Sequence, residues 1–390
     1  MTLTLATDNP GAARSPLPGK KGGREHNIRP TRCRRVDLAI AGPTGTVGSS
    51  LLHLLDQKAG WLREELSLDL RIVGAINTRG MIWNQDGIPP YRIAGVLPAG
   101  PGNTRWSSFA NRACGHRDYP LVFLDCTAST FIARQYLSFL RSDIAIVTPN
   151  KIANSLEFTY YQELRETGGH NGARYLYETT VGAATPMVQT LRDLRRTGDR
   201  IHRVEGVLSG TLSFVFDRIN RGDLFSQAVR EALQRGYTEP HPASDLSGED
   251  VARKLLILSR EAGYRLERGD ISVESLVPEQ LRHVADPHEY LEQLSVFDEH
   301  WSERAGKARR EGASLAYLAR FDGTTGAVGL ACLAHEHPFV RLRPSENAVH
   351  YYTDRHTPIP LTIQGIGAGP GPTARGILAD VIQAALGLAA

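Results

Sequence analysis

The chain passes from a short, mostly apolar run, Val36 to Ala41, through Gly42-Pro43-Thr44-Gly45-Thr46-Val47-Gly48 and into a second apolar run carrying Leu51, Leu52, Leu54 and Leu55. The first run suits a buried strand and the second a helix, with a tight glycine turn between them. Such a unit is stable only when parallel strands flank it and helices cover the sheet. Glycine lets the backbone turn sharply and approach a pyrophosphate, which then rests on the unpaired N–H groups of the helix N-terminus. Gly42, Thr44, Gly45, Thr46, Val47 and Gly48 are therefore candidate contacts of a dinucleotide. A plain tight turn is the competing reading, because this glycine spacing is one residue longer than Gly-x-Gly-x-x-Gly and Pro43 removes one N–H donor.

A second strand, Leu70 to Ile76, ends at Asn77-Thr78-Arg79. NAD usually finds an acidic residue at this strand end for its ribose 2′-hydroxyl, and no carboxylate stands here. Asn77 is a candidate cofactor contact, and Arg79 can grip a 2′-phosphate with charge-assisted hydrogen bonds, which favours NADP(H) over NAD. An ordinary surface arginine is the alternative. Leu121 to Asp125 and Ile144 to Thr148 read as further buried strands whose polar carboxyl ends face the ligand side of a doubly wound sheet. Cys126, Thr127 and Lys151 follow those ends and join the cofactor candidates. Residues 80–118 show little periodicity and read as an irregular excursion.

After Tyr175 the pattern changes to a helix from Pro186 through Leu194, a strand near Val204 to Val207, and two helices around residues 236–254. The expected fold class is α/β: a Rossmann-like doubly wound nucleotide-binding domain over residues 36–177 and 362–390, plus an α+β substrate and dimerisation domain over residues 178–361. The strand Leu361 to Gln364 and the helix Thr373 to Leu386 are expected to return to the first domain, where Gly365, Gly367 and Gly369 would allow backbone close to the cofactor.

Residues 1–35 hold eight Lys or Arg against Asp8 and Glu25 and read as a disordered basic tail. The remainder carries a net charge of −3, which gives no electrostatic reason to expect a nucleic-acid partner. No run approaches the ~18 apolar residues of a membrane helix, and no secretory h-region opens the chain, so neither a membrane nor export is expected. Cys33, Cys114, Cys126 and Cys332 lack CxxC spacing, which argues against a zinc site or disulfide framework and fits a reducing, cytoplasmic setting. His241, His335 and His337 show no metal spacing.

Residues 236–254, Gly-Tyr-Thr-Glu-Pro-His-Pro-Ala-Ser-Asp-Leu-Ser-Gly-Glu-Asp-Val-Ala-Arg-Lys, gather Glu239, Asp245 and Asp250 with Lys254 around one loop-to-helix turn. Ser247-Gly248-Glu249-Asp250 has the spacing of a capping box, which predicts a helix start with Val251, Leu255 and Leu258 facing the core. Asp250 and Lys254 then share a face, and as an exposed pair they would contribute only roughly 0.3–0.5 kcal/mol. A loop that keeps Glu239 and Asp245 between prolines and a glycine suits a functional role.

This stretch closely resembles the homoserine dehydrogenase signature, Gly-Tyr-Thr-Glu-Pro-Asp-Pro-x-x-Asp-Leu-x-Gly-x-Asp-Val-x-Arg-Lys. Val147 to Lys151, Glu178 to Ala183, Gly206 to Ser213 and Gly365 to Gly369 resemble further motifs of that family, in the family's order. The likeness runs from about Val36 to the C-terminus and is greatest to the dehydrogenase half of bifunctional aspartokinase–homoserine dehydrogenases, with no room expected for a kinase in 390 residues.

The resemblance implies NADP(H)-dependent interconversion of L-homoserine and L-aspartate 4-semialdehyde in a homodimer, as a step of threonine and methionine biosynthesis. It implies that Lys254 supplies or relays the proton and that Asp250 orients it. Glu239 and Asp245 would hold the substrate ammonium, and Lys151 with the Gly210-Thr211 backbone its carboxylate. Gly367 would lie against the cofactor, and Glu178 with the carbonyls of Val181, Ala183 and Thr185 would hold sodium or potassium. Three departures stand out: the longer glycine loop, His241 in place of aspartate, and Ala243-Ser244 in place of Arg-Asp. They keep open a related dehydrogenase acting on another amino-acid semialdehyde. A silent NADP-binding or regulatory protein is disfavoured by the intact Asp250 and Lys254, and an acylating dehydrogenase using Cys126 by the lack of a matching histidine context.

Overall fold

The computed structural model describes residues 33–97, 106–169 and 174–388. Most of the expected basic tail lies outside them, but Arg34 and Arg35, read as part of that tail, already belong to the first strand. The strands are β1 (Arg34–Ala41), β2 (Leu68–Asn77), β3 (Gly80–Trp83), β4 (Leu121–Asp125), β5 (Ala145–Val147), β6 (Tyr175–Leu176), β7 (Ile201–Val207), β8 (Ile271–Val273), β9 (Ala313–Phe321), β10 (Gly326–Ala334), β11 (Glu346–Thr353) and β12 (Leu361–Ile366). The principal helices are α1 (Thr46–Leu66), α2 (Trp106–Gly115), α3 (Met187–Arg196), α4 (Gly210–Asn220), α5 (Phe225–Gln234), α6 (Glu249–Glu261), α7 (Asp298–Arg310) and α8 (Pro370–Gly387).

The first sheet has the order β3-β2-β1-β4-β5-β6 and is parallel except for the β2–β3 hairpin. Alternation along β1 builds two cores. Val36, Leu38 and Ile40 pack with Leu51, Leu55, Ile377 and Val381 of α1 and α8, while Ala39 and Ala41 face Phe109, Phe123 and Phe139. The excursion read over residues 80–118 contains β3 and α2. Along α2, Trp106, Phe109, Ala110, Ala113 and Cys114 recur at i, i+3, i+4, i+7 and i+8 and pack on the core, so a regular amphipathic helix stands where an irregular excursion was expected.

The second sheet has the order β12-β11-β7-β9-β10-β8, with antiparallel neighbours except the β8–β10 pair. Helices α4, α6 and α7 cover one face, and a smaller apolar cluster including Val207, Ala316, Leu318, Phe339 and Ala348 lies on the other. Here the strand expected to return to the first domain does not. Ile363 pairs with Val349 in β11, so β12 extends the second sheet, and the chain crosses back only at α8. The reason is apolar: Leu361 and Ile363 pack against the second domain's core, whereas Ile377, Val381 and Ala384 complete the core under β1. Among the described residues, no helix is long and apolar enough to cross a membrane.

Candidate active site

At the carboxyl edge of the first sheet lies a cavity of about 550 Å³. Gly42, Thr44 and Gly45 line it from the glycine loop, Asn77 and Thr78 from the end of β2, and Cys126 and Thr127 from beyond β4. Gly45 is the N-cap of α1 and no side chain caps that helix, so the N–H groups of its first turn are open to an anion. Gly42 has φ +76, and a Cβ there would lie 2.8 Å from the Thr127 methyl. Gly48 sits behind the loop: a Cβ on it would meet the Gly42 carbonyl oxygen at 2.1 Å, so this glycine serves helix-to-loop packing. Val47 packs toward the β1–α1 core, and Thr46 is exposed.

Asn77 shapes the rim. Its Oδ1 accepts the N–H groups of Arg79 and Gly80 at 2.9 and 3.1 Å, and its Nδ2 donates to Thr44 Oγ1 at 3.2 Å. Arg79 lies exposed on this turn, beside the cavity rather than in its wall. Two aromatic walls escaped the sequence reading, Trp106 and the exposed Phe131, whose rings stand 5.7 Å apart. Neither lies in a motif that would have signalled it.

Asp125, the last residue of β4, is fully buried. Its Oδ1 accepts Thr127 N–H at 2.9 Å and Thr127 Oγ1–H at 2.6 Å, while Oδ2 accepts from the Tyr136 hydroxyl and from Asn150 Nδ2 at 3.0 Å. Burial pushes this carboxyl up, and those hydrogen bonds oppose the shift. Asn150 Oδ1 in turn accepts Ile152 N–H at 3.0 Å, opening the short helix Ile152–Ser155 that has Lys151 as its N-cap. One carboxylate thus fixes both the floor of the cofactor cavity and the backbone that presents Lys151. Burial and the neighbouring Asp125 push the Cys126 thiol far up, the wrong direction for an acylating nucleophile.

Beyond Lys151 opens a polar cleft of about 600 Å³ between the two sheets. Asp250 Oδ2 lies 2.8 Å from Lys254 Nζ and Asp250 Oδ1 lies 3.2 Å from Lys151 Nζ. Partial loss of water in the cleft pushes the half-exposed Asp250 carboxyl up, but the Lys151 and Lys254 ammonium groups outweigh it and hold the group well below the usual carboxylate range. Lys254 is 8% exposed, and a second N–H donates to the Leu208 carbonyl at 2.7 Å. With two of three donors engaged, the third is left for the cleft that this side chain lines.

Glu239, Asp245, Gly210 and Thr211 line the same cleft. Asp245 is already occupied: Oδ1 lies 3.0 Å from Thr211 Oγ1, and Oδ2 accepts Glu239 N–H at 2.8 Å. Gly210 opens α4, whose N-cap Ser209 accepts Leu212 N–H on its side chain and Ser213 N–H on its carbonyl, leaving the Gly210 and Thr211 N–H groups at the helix's positive end.

The expected helix does start at Glu249, but no capping box forms. Gly248 takes the N-cap with φ +76, where a Cβ would lie 2.1 Å from the Tyr317 hydroxyl, and the Glu249 carboxylate turns outward to Arg268 at 2.7 Å. His241 points away from the cleft. Its Nε2 donates to the Val284 carbonyl at 3.0 Å, its Nδ1 accepts Ala243 N–H at 3.2 Å, and its ring packs on Tyr290. Of the three departing residues, only Ser244 lines the cleft.

Glu178 directs its two carboxylate oxygens at the start of α3, accepting the N–H groups of Val188 and Gln189 at 2.9 and 2.6 Å. Its own N–H donates to Asp380 Oδ2 on α8 at 3.1 Å. Burial, and then the Asp380 charge, push the Glu178 carboxyl up to about 8, and burial pushes Asp380 up to about 7. The Thr185 carbonyl accepts Met187 N–H at 2.7 Å, and Ala183 holds φ +52. Among the described residues no three His, Cys, Asp or Glu side chains are grouped to hold a metal ion.

A doubly wound sheet with an uncapped glycine-loop helix, opening onto a cleft of paired ammonium and carboxylate groups, defines a two-domain dinucleotide-binding protein. The chain belongs to the homoserine dehydrogenase family: residues 186–382 match that family's model, and residues 44–178 match the model of the homoserine dehydrogenase NAD-binding domain. It is 38% identical over 351 residues to a bifunctional aspartokinase/homoserine dehydrogenase 2, chloroplastic, of Zea mays, covering 89% of this chain but only 38% of that relative's length. The fold matches a protein of unknown function from Candida auris, with TM-score 0.79 and 33% identity over 90% of this chain and 99% of that one. A hyperthermophilic archaeal homoserine dehydrogenase in complex with NADPH shares the fold, with TM-score 0.65 and 22% identity over 90% of this chain and 98% of that one.

Proposed function

We propose that this chain is an NADP(H)-dependent homoserine dehydrogenase interconverting L-homoserine and L-aspartate 4-semialdehyde. The observation that carries the reading is Lys254, held by Asp250 and the Leu208 carbonyl with one N–H left for a cleft that opposite charges line. Bound nicotinamide supplies or accepts the hydride. The glycine loop, the open first turn of α1, Asn77 and Thr127 fit such a dinucleotide, with Trp106 and Phe131 as apolar walls and Arg79 at the rim for a 2′-phosphate.

Lys254 moves the proton at the substrate oxygen and, while cationic, stabilises alkoxide charge developing there. Asp250 keeps both lysines in place. Glu239, exposed in the cleft, holds the substrate ammonium, while the N-terminus of α4 takes the carboxylate. Asp245 contributes by fixing Thr211 and the Glu239 backbone. The oxygens of Glu178, Val181, Ala183 and Thr185 suit a hard monovalent cation, Na+ or K+, and would stiffen the turn beside the cleft. Two copies would pair through the second sheet's outer face, beside the partly exposed Ala331 and Val340, and sedimentation equilibrium reads that state.

Ser244 in the cleft, where the family pattern has aspartate, favours a second reading, a related dehydrogenase with a different amino alcohol. Purified protein assayed with NADP+ or NAD+ against a panel of amino alcohols by nicotinamide absorbance tests both. Turnover fastest with L-homoserine supports the first reading, and turnover only with another amino alcohol replaces it with the second.

A further inference from the structure

We propose that Asn347 is a positioning residue for Lys254, acting through the Leu208 carbonyl to which both side chains donate. The inference rests on the proton-transfer role of Lys254 proposed above. The β7–β11 ladder ends at the pair Val207 and Ala348, so the next carbonyl of β7's continuation, Leu208, has no partner strand. A buried carbonyl left unpaired is costly, and here two side chains satisfy it. Lys254 Nζ approaches at 2.7 Å and Asn347 Nδ2 at 3.2 Å. Asn347 takes over with its side chain where the backbone ladder stops.

Asn347 is fully buried and tightly held. Its amide lies flat against Gly367, where any Cβ would come 2.0 Å from Asn347 Cγ, and Nδ2 stands 3.5 Å from the Gly367 carbonyl. Gly367 N–H donates to Ser345 at 3.1 Å, while a Cβ on Gly210 would meet Ser345 Cα at 3.3 Å. The segment Ser345 to Asn347 is therefore wedged between the start of α4 and the Gly365–Gly369 loop. Two glycines lining the cleft are explained by that wedge.

The consequence falls on the ammonium. Lys254 is suspended between Asp250 Oδ2 and Leu208 O, and the direction of its third N–H depends on where that carbonyl sits. Without the Asn347 donor the carbonyl is free to rotate and the ammonium relaxes toward Asp250. An aspartate at 347 would turn lone pairs on the carbonyl, and a leucine would offer no donor.

A double-mutant cycle on the full chain tests this. Asn347→Leu should lower kcat about 10- to 100-fold, the scale on which small misplacements of catalytic groups act, with KM for homoserine and NADP+ within about three-fold of wild type. In a Lys254→Ala background the same substitution should cost almost nothing further, because its effect passes through Lys254. Asn347→Ser, run through the same cycle, replaces Asn347→Leu if that variant does not fold. Unchanged kcat in the Asn347 variant, or an equal loss in both backgrounds, overturns the proposal while leaving the Lys254 reading intact. Full turnover in Lys254→Ala alone overturns that reading itself.

Discussion

Lys254 Nζ stands 2.8 Å from Asp250 Oδ2, one turn apart on α6, and the same carboxylate reaches Lys151 of the nucleotide-binding domain at 3.2 Å. The pair therefore links the two domains at the cleft as well as orienting an ammonium group.

Asp250→Asn should lower kcat about 10- to 100-fold by loosening both lysines. The carboxyl is held below its ordinary range, so it is ionised at every pH used for assay, and its contribution is lost only in strong acid as pH falls through that depressed value. The melting-temperature difference between wild type and Asp250→Asn should thus be flat between about pH 5 and 7, above the carboxylate range and below lysine titration. A difference that shrinks as pH falls through that window would show Asp250 titrating there.

Glu239 and Asp245 should separate kinetically. Glu239→Ala should mainly raise the KM for homoserine, because it holds the ammonium in ground and transition states alike. Asp245→Ala should raise KM, lower kcat and lower the melting temperature, because it also releases Thr211 and the Glu239 backbone. Matching phenotypes would mean the division between them is mistaken.

Arg79→Ala should weaken NADP+ far more than NAD+, by about 1.5–3 kcal/mol, the range for hydrogen bonds to charged groups. Trp106→Ala should instead weaken both cofactors equally, since a wall that packs on the nucleotide cannot sense the phosphate. Titration of each cofactor against both variants distinguishes the roles. Equal losses in the Arg79 variant would remove it from phosphate recognition.

What the sequence made legible is what short-range chemistry dictates. The glycine loop, the strand ends at Asn77 and Asp125, and the turn from Glu239 to Lys254 are local patterns; Gly42, Thr44, Gly45 and Asn77 line the cofactor cavity and Glu239, Asp245, Asp250 and Lys254 the cleft, while Val47, Gly48 and His241 pack elsewhere. Contacts made by sheet pairing were invisible. Asn347 meets Leu208 across 139 residues only because β11 lies beside β7, and Asp125 meets Asn150 only because β4 lies beside β5. The apparent capping box at Ser247 failed for the same reason: Tyr317, brought in by β9, presses on Gly248 and fixes the turn. Leu361 to Gln364 reads equally well as a strand of either sheet, and only the apolar face it buries decides.

Glu178 should couple stability to pH. Its carboxyl is raised to about 8, so the folded state keeps a proton that the unfolded chain has lost, and stability falls as pH rises from the ordinary glutamate range through about 8. Glu178→Gln cannot ionise, so its melting temperature relative to wild type should improve from pH 5 to pH 8.5. A cation held there needs the ionised form, so wild-type turnover should show roughly ten-fold tighter K+ or Na+ dependence at pH 9 than at pH 7. A pH-independent difference in melting temperature and no cation dependence would place Glu178 outside any ion site.

The central claim is that Lys254 carries the proton in a hydride-transfer reaction on homoserine. Steady-state oxidation of L-homoserine with NADP+ by Lys254→Ala, alongside NADPH binding followed by fluorescence, tests it most directly. The expected result is a kcat lower by about 10²–10⁴-fold, the usual range for lost acid–base catalysis, with cofactor affinity within a few-fold of wild type. Turnover at the wild-type rate would contradict the account.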